Sequence, residues 1–303
     1  MIMIKRYLDR LRIWKYLITS FFHQYFIVKK GQKEEFEILQ IAHRIEKGLL
    51  QKNPKPRWGW EKIERLQYLM DNTKDRFAKS LAQNVISSYA KKKLESQDTY
   101  DVEKAKTLEQ LSGEIAGVLE LTRADVSCDI ESGKQLFLTR HSIREFDDRK
   151  VAKQDIENAV ALANRCPSAC NRQMFKVYVL DGDLRHQFFE EDVQGINPPQ
   201  FLIITTDLRA FIKEEFYDWI VSSSIFAGYL TLALHLYGVG SCCLRKPLYF
   251  ELRSMKKMRE YFNIPEEEQI VLEMAVGYYK EKFEVAQSPR KAPSDIVVFK
   301  KTS

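Results

Sequence analysis

The strongest constraint in this chain lies at residues 216–237, a long helical stretch whose second half is apolar nearly all round. A helix with apolar side chains on every side has no face to offer to water, so it must be buried centrally. The run from 225 to 237 contains Gly228, Thr231 and His235, and it is too short to span a bilayer. Gly238 and Gly240 follow at once and are expected to end the helix.

Around that helix the texture is mixed. Residues 154–166 put Ile156, Ala159, Val160 and Ala163 on one helical face. Residues 174–180 and 201–205 are short apolar runs rich in β-branched or aromatic side chains and are predicted to be strands. A helix is expected over 248–262, stopped by Asn263-Ile264-Pro265, then a strand over 270–278 and a short one over 296–299. Upstream, from 33 to about 125, the pattern is helical throughout. Ile38, Ile41, Ala42, Ile45 and Leu49 recur at steps of three and four, and Gly48 lies near the end of that helix. A Pro/Trp/Gly-rich connection covers 54–59, a second helix is predicted over 60–82, and further polar helices run to about 123. The string His43-Arg44-Ile45-Glu46-Lys47-Gly48-Leu49 is distinctive, but one His beside a Glu and a Lys suits a structural or interface cluster. The chain thus divides into a basic helix (1–32), a helical extension (33–130) and an α/β portion (131–303).

Charge sharpens that division. The formal net charge is +6 at pH 7, and residues 1–30 hold seven Lys or Arg against Asp9 alone, so the rest of the chain is neutral. The basicity belongs to the N-terminal segment and gives no ground for nucleic-acid binding by the folded body. Residues 2–27 carry Ile4, Leu8, Leu11 and Trp14, or Tyr7, Trp14, Leu17, Ile18 and Phe21, at roughly helical spacing among basic residues. Such an amphipathic helix has two uses: packing on its own body or a partner subunit, or weak contact with an anionic membrane surface through residues 1–27. Arg10, Arg12 and Lys15 interrupt the apolar run and no small-residue cleavage site follows, so secretion is not expected. The five cysteines, Cys128, Cys166, Cys170, Cys242 and Cys243, include no CxxC pair. Vicinal Cys242 and Cys243 are poorly placed for an ordinary disulfide, and reduced thiols in a cytoplasmic protein, at most peripheral to a membrane, are the expectation.

Three segments carry candidate chemistry. In Arg140-His141-Ser142-Ile143-Arg144 the first, third and fifth residues project to one side of an extended stretch. Two guanidiniums and a hydroxyl there suit a ligand with a phosphate and a second electron-rich edge; alone, the pattern also describes a solvated basic strand. Cys166-Pro167-Ser168-Ala169-Cys170-Asn171-Arg172-Gln173 follows a helix and precedes a strand, with Asn171 and Gln173 offering amides at a loop; alone, it is a helix end followed by a polar turn. The third is distributed between Gly238-Val239-Gly240-Ser241-Cys242-Cys243-Leu244 and Ser288-Pro289-Arg290. Paired glycines allow backbone to approach a planar ligand closely. No HExxH, no GxSxG and no closely spaced His/Cys ligand set occurs, so no metal site is expected.

Together, R-x-S-x-R, P-S-x-x-N-x-Q, a central helix ending in G-x-G-S and an S-P-R tail resemble the nitroreductase family of flavoproteins over roughly residues 135–292. The resemblance implies an α+β fold with a mixed sheet flanked by helices, an obligate homodimer, and here a helical N-terminal arm as an addition to the common core. It implies FMN as cofactor, NADH or NADPH as reductant, and a small-molecule acceptor of nitro or quinone type or a specialised substrate. Carried over residue by residue, Arg140 and Arg290 would hold the FMN phosphate, with His141 beside them. Ser142 would assist near the ribityl chain and ring, and Arg144 would lie near N1 and O2. Pro167, Ser168, Asn171 and Gln173 would contact the flavin across the subunit interface. Backbone at Cys242, Cys243 and Leu244 would lie over the ring, where the two thiols are small fillers or redox-active groups. No protein nucleophile is implied, because the flavin carries the chemistry. Family loops often continue as Pro-Trp after the Gln; here Met174 and Phe175 follow, which implies a different wall to the site. The alternative is a flavin-binding dimer with a specialised non-nicotinamide reaction or a non-catalytic, regulatory role.

Overall fold

The computed structural model describes residues 11, 14, 15, 18 and 21–300, apart from 53, 56, 109–116, 189–195, 216 and 245–255. The expected helix over 1–32 is therefore described only in part; its last section, α1, covers residues 21–29. The first half of the helix predicted over 248–262 lies outside the described residues, as do 109–116; residues 117–123 are described and are not helical, so the expected helices do not run to 123.

Four helices follow α1: α2 (Glu34–Leu49), α3 (Trp60–Asn72), α4 (Arg76–Leu94) and α5 (Thr99–Lys106). They bury one another's apolar faces in a single cluster that includes Ile38, Ile45, Ile63, Leu66, Val85, Ile86 and Tyr89. The helix predicted over 60–82 is in fact two. Thr73 leaves the helical conformation, and Asp75 starts α4 by accepting the Ala78 N–H at 2.7 Å. A side-chain cap of this kind satisfies a donor the helix leaves orphaned, and the periodicity alone did not expose it. At the other end of this bundle Asp101 and Lys93 are both buried and meet at 2.7 Å. Asp101 also accepts from the Trp60 indole at 2.6 Å, so neither charge is stranded.

Then comes α6 (Ile130–Thr139), capped by Asp129 and absent from the sequence expectations. It buries none of its residues, and Ile130, Phe137 and Leu138 are all about two-thirds exposed. Beyond it α7 (Lys153–Ala163), a short α8 (Arg185–Phe188), α9 (Asp218–Leu236) and α10 (256–262) alternate with strands β1 (Phe175–Asp181), β2 (Gln200–Asp207), β3 (Val239–Leu244) and β4 (Glu268–Tyr278). The strands form one antiparallel sheet in the order β1-β2-β4-β3. Its mixed character comes from Ser142, which adds an isolated parallel bridge to Ser241 at the β3 edge.

Every residue of β2 is buried, because both faces of the sheet are covered. Leu202 and Ile204 point to the layer of α7 and α9, against Ala159, Phe226, Leu230 and Leu234. Phe201 and Ile203 point to the opposite layer, with Ile143, Phe146, Met258 and Ala275. That alternation is the two-residue period of a strand read out as two cores. α9 occupies the central place its composition requires, and Gly238 at φ 71 follows its C-terminus as a left-handed residue. Among the described helices α9 alone is long and apolar enough to cross a membrane, but its packing on the sheet accounts for that composition. Residues 296–299 do not form the predicted strand. They lie unpaired, with Val298 91% and Phe299 86% exposed, because the chain offers no strand beside them to complete a ladder.

Candidate functional site

α6 ends at Thr139, and Arg140 turns the chain into an extended conformation (φ −71°, ψ 118°). The Ile143 N–H then donates to the Ser241 carbonyl at 3.0 Å, locking the stretch along β3. Ile143 is buried against Gly240, where an added Cβ would sit 2.9 Å from it; Ser142 and Arg144 face outward. Arg140 is partly exposed, and among the described residues no hydrogen bond or ion pair engages its guanidinium. Arg144 touches only the Ser142 carbonyl, at 3.5 Å. Two cations without carboxylate partners on one edge make an anion site.

The neighbours of Arg140 were not legible in advance. His235, near the end of α9, has one ring nitrogen 2.8 Å from the Thr139 hydroxyl and the other 2.7 Å from the Tyr279 hydroxyl. Burial, then the charges of Arg140 and His141, hold the His235 imidazole below its ordinary value, so it favours the neutral form. Partly exposed His141 thus enters the same cluster. In β3, Cys242 and Leu244 are buried in the sheet's second core, whereas Cys243 and the backbone around it lie at the open edge. Burial pushes the Cys242 thiol up, with Arg144 and Arg140 opposing, which leaves it protonated and inert at neutral pH. All five cysteines are free. Among the described residues no group of three or more His, Cys, Asp or Glu is placed to hold a metal ion.

The loop before β1 is built differently. Cys170, Asn171 and Gln173 all have positive φ (50°, 53° and 48°), an uncommon concentration for non-glycine residues. Arg172 holds it there. Fully buried, Arg172 grips Glu215 through both terminal nitrogens at 2.7 Å, donates to the carbonyls of Ala169 and Ala210, and lies 5.2 Å over the Phe211 ring. Burial opposes ionisation of Glu215, yet Arg172 beside it, with the Ile212 N–H and the charge of Arg44, keeps its carboxyl below the ordinary range. Pro167 and Asn171 are exposed, and Ser168 and Gln173 partly so, with Gln173 accepting from Asn164 at 3.0 Å. Met174 is buried with Phe36 and Phe211, and Phe175 stacks on Phe226 at 4.5 Å.

The structure does not bring these two halves together within one chain. The Ala169 N–H donates to Ser222 near the start of α9, while Arg140 lies by His235 near its end. Thirteen residues separate Ser222 from His235, about 20 Å at 1.5 Å per residue. Arg290 is also apart: it is exposed, its guanidinium turns back on the Ser288 carbonyl, and no described contact joins it to Arg140. A cavity of about 800 Å³ opens elsewhere, between Phe36, Leu39 and Phe77 of the helical region and Val160, Gln173 and Val177 of the α/β region. Its rim lysines, Lys153 and Lys176, are both paired with carboxylates, so it lacks the free cations of the Arg140 edge.

The string at residues 43–49 finds a packing explanation. Gly48 lies under Trp58, whose ring would be 2.3 Å from an added Cβ, and Ile45 is fully buried. Burial raises the Glu46 carboxyl, against a hydrogen bond from the Gly117 backbone.

Comparison with known proteins covers the α/β region. Residues 138–200 match the model of the Nitroreductase family. A protein of Archaeoglobus fulgidus, provisionally named NADH dehydrogenase/NAD(P)H nitroreductase, is 28% identical over 158 residues, covering 50% of this chain and 88% of its own length. The CLA biosynthesis enone reductase of Lactiplantibacillus plantarum is 33% identical over 66 residues, 22% of this chain and 30% of that protein. Among solved structures, an FMN-dependent nitroreductase of Clostridium difficile R20291 aligns with 56% of this chain and 99% of its own, at 24% identity and a TM-score of 0.45.

Proposed function

We propose that this chain, whose residues 138–200 match the Nitroreductase family model, is an FMN-dependent oxidoreductase working as a two-fold homodimer. The carrying observation is the pair of guanidiniums, Arg140 and Arg144, on one edge with no carboxylate to neutralise them. FMN fits that edge. Arg140 suits its phosphate, and Arg144, four residues on along the same extended stretch, suits the N1–C2=O edge where negative charge grows on reduction. Ser142 stands between them, and the open backbone at Cys243 offers a floor without a bulky side chain. When bound, FMN accepts a hydride from NADH or NADPH and passes electrons to an organic acceptor. The chain's residues bind, orient and set the local charge around it. The acceptor's identity is open between nitro- or quinone-like compounds and a specialised substrate.

The separation along α9 supports a dimer. That helix keeps one face on the sheet but leaves Val221, Ser224, Gly228, Tyr229 and Leu236 exposed, at the spacing of a helical stripe. Gly228 sits near the middle of α9, and an added Cβ there would meet nothing within 4 Å. Two copies crossing antiparallel at Gly228 would set the start of one α9 beside the end of the other. The loop at residues 168–173 of a second copy would then arrive next to Arg140, supplying Asn171 and Gln173 to a shared site. Two-fold symmetry repeats the arrangement at the other end.

The test is the visible spectrum of the purified protein, before and after anaerobic NADH or NADPH, with its mass by light scattering. Flavin bands bleached by a nucleotide in a particle of two chains are expected. A colourless protein that also fails to take up added FMN would sink the reading.

A further inference from the structure

We propose that the N-terminal helix docks this protein on an anionic lipid surface. Its described side chains Leu11, Trp14, Ile18, Phe21, Phe22, Tyr25 and Phe26 are each between 42% and 64% exposed. At 100° per residue these seven positions fall within about 140° of the helix circumference. Gln24 and Ile27, on the other side of the helix, are buried, and so is Val28 at the edge of the stripe. His23, between the two faces, pairs with Glu266 of the body at 3.5 Å. The helix thus rests on the protein by one side and turns a continuous, mostly aromatic stripe outward. The rings on it meet one another, Phe21 to Phe22 at 5.7 Å and Tyr25 to Phe26 at 5.8 Å.

Charge selects the occupant. The segment that bears the stripe holds the chain's entire positive excess, with seven Lys or Arg against one Asp in residues 1–30. A second copy laid on the stripe would bring those cations opposite one another, a repulsive arrangement. An anionic headgroup layer neutralises them while its acyl boundary takes up the apolar side. The stripe's Trp and Tyr also suit the headgroup level, where amphipathic rings settle. In the sequence the three-and-four spacing continues back through Leu8, Tyr7 and Ile4, while Lys5, Arg6, Arg10 and Arg12 fall between those positions. This inference does not depend on the flavin reading.

Flotation of the purified full chain tests it, using phosphatidylcholine vesicles with and without about 30% phosphatidylglycerol. The wild type should float with the anionic vesicles. Recovery should fall about tenfold on neutral vesicles, and by a similar factor in about 0.5 M salt, where exposed charges are screened. The variant Phe22→Glu/Phe26→Glu alters only exposed positions and should lose flotation while keeping its circular dichroism and elution volume. A wild type that stays down with anionic vesicles overturns the proposal. So does equal flotation of both proteins on neutral lipid. A variant whose elution volume shifts without lipid also overturns it, because the stripe would then be covered by a second copy.

Discussion

The helical region formed by α2–α5 and the α/β region that follows it are equally well packed inside but finished differently outside. The helices close on themselves: Ile38, Leu66, Val85 and Tyr89 share one core, and even the buried Lys93–Asp101 pair is completed by the Trp60 indole. The α/β region has a sheet covered on both faces, yet its periphery is left open. α6 buries none of its residues, α9 shows Val221, Tyr229 and Leu236 to water, residues 296–299 lie exposed, and Arg140 has no ion-pair partner among the described residues. One region turns its apolar faces inward on itself; the other leaves apolar side chains and an arginine edge at its surface.

That contrast can be broken most forcefully in the closed region. Asp101→Leu strands the Lys93 ammonium and should cost about 3–5 kcal/mol in chemical denaturation. Asp101→Leu with Lys93→Met should recover most of that loss; equal damage in both would show that the pair is not an isolated closed unit. Next in size is Gly228→Glu, which places a carboxylate where two α9 helices should cross. It should weaken dimerisation by roughly 2–4 kcal/mol, the scale of an unpaired charge forced into an interface. Light scattering should report monomers, with flavin lost in step; monomers that keep their flavin would show that one chain makes the whole site. Arg140→Ala and Arg290→Ala should each weaken FMN binding by about 1–3 kcal/mol without changing the melting of the apoprotein. Full flavin occupancy in both would remove them from the phosphate site.

The smallest effect concerns the Arg172–Glu215 pair behind the loop before β1. The folded-state value of Glu215 is depressed below its ordinary 4.5, so the stability it confers is present above that pH and lost as pH falls through the lower folded value. Wild type should therefore melt above Glu215→Gln at pH 7, and the gap should close below about pH 4.5. A gap independent of pH would mean that Arg172 holds the loop without help from that charge.

Much of the α/β region was legible because its signals are local. β1, β2 and β4 were found from short apolar runs, α7 from its periodicity and α9 from its length and nearly all-round apolarity, each within a few residues of its true ends. The Arg140–Arg144 alternation survives as Ile143 buried and Ser142 and Arg144 outward. The failures were contacts between distant residues. Nothing near Arg172 announces Glu215, 43 residues away, and nothing near Arg140 announces His235 or Tyr279. β3 was missed as a strand because its two glycines and small side chains have weak strand propensity, and pairing with β4 overrides that. α6 was missed for a related reason: it meets α9 but buries none of its residues, so no buried face disciplines its pattern.

The length of α9 has a genetic consequence. A two-fold pair that builds each site from the end of one α9 and the start of the other assigns the two lesions Arg140→Ala and Asn171→Ala to different sites. Neither mutant homodimer would hold an intact site. A mixed dimer would concentrate both defects at one end and leave the other end whole. Co-expression of two inactive alleles should therefore restore up to one site's worth of activity per mixed dimer, about half that of the wild-type dimer, a form of intragenic complementation written into the span of one helix.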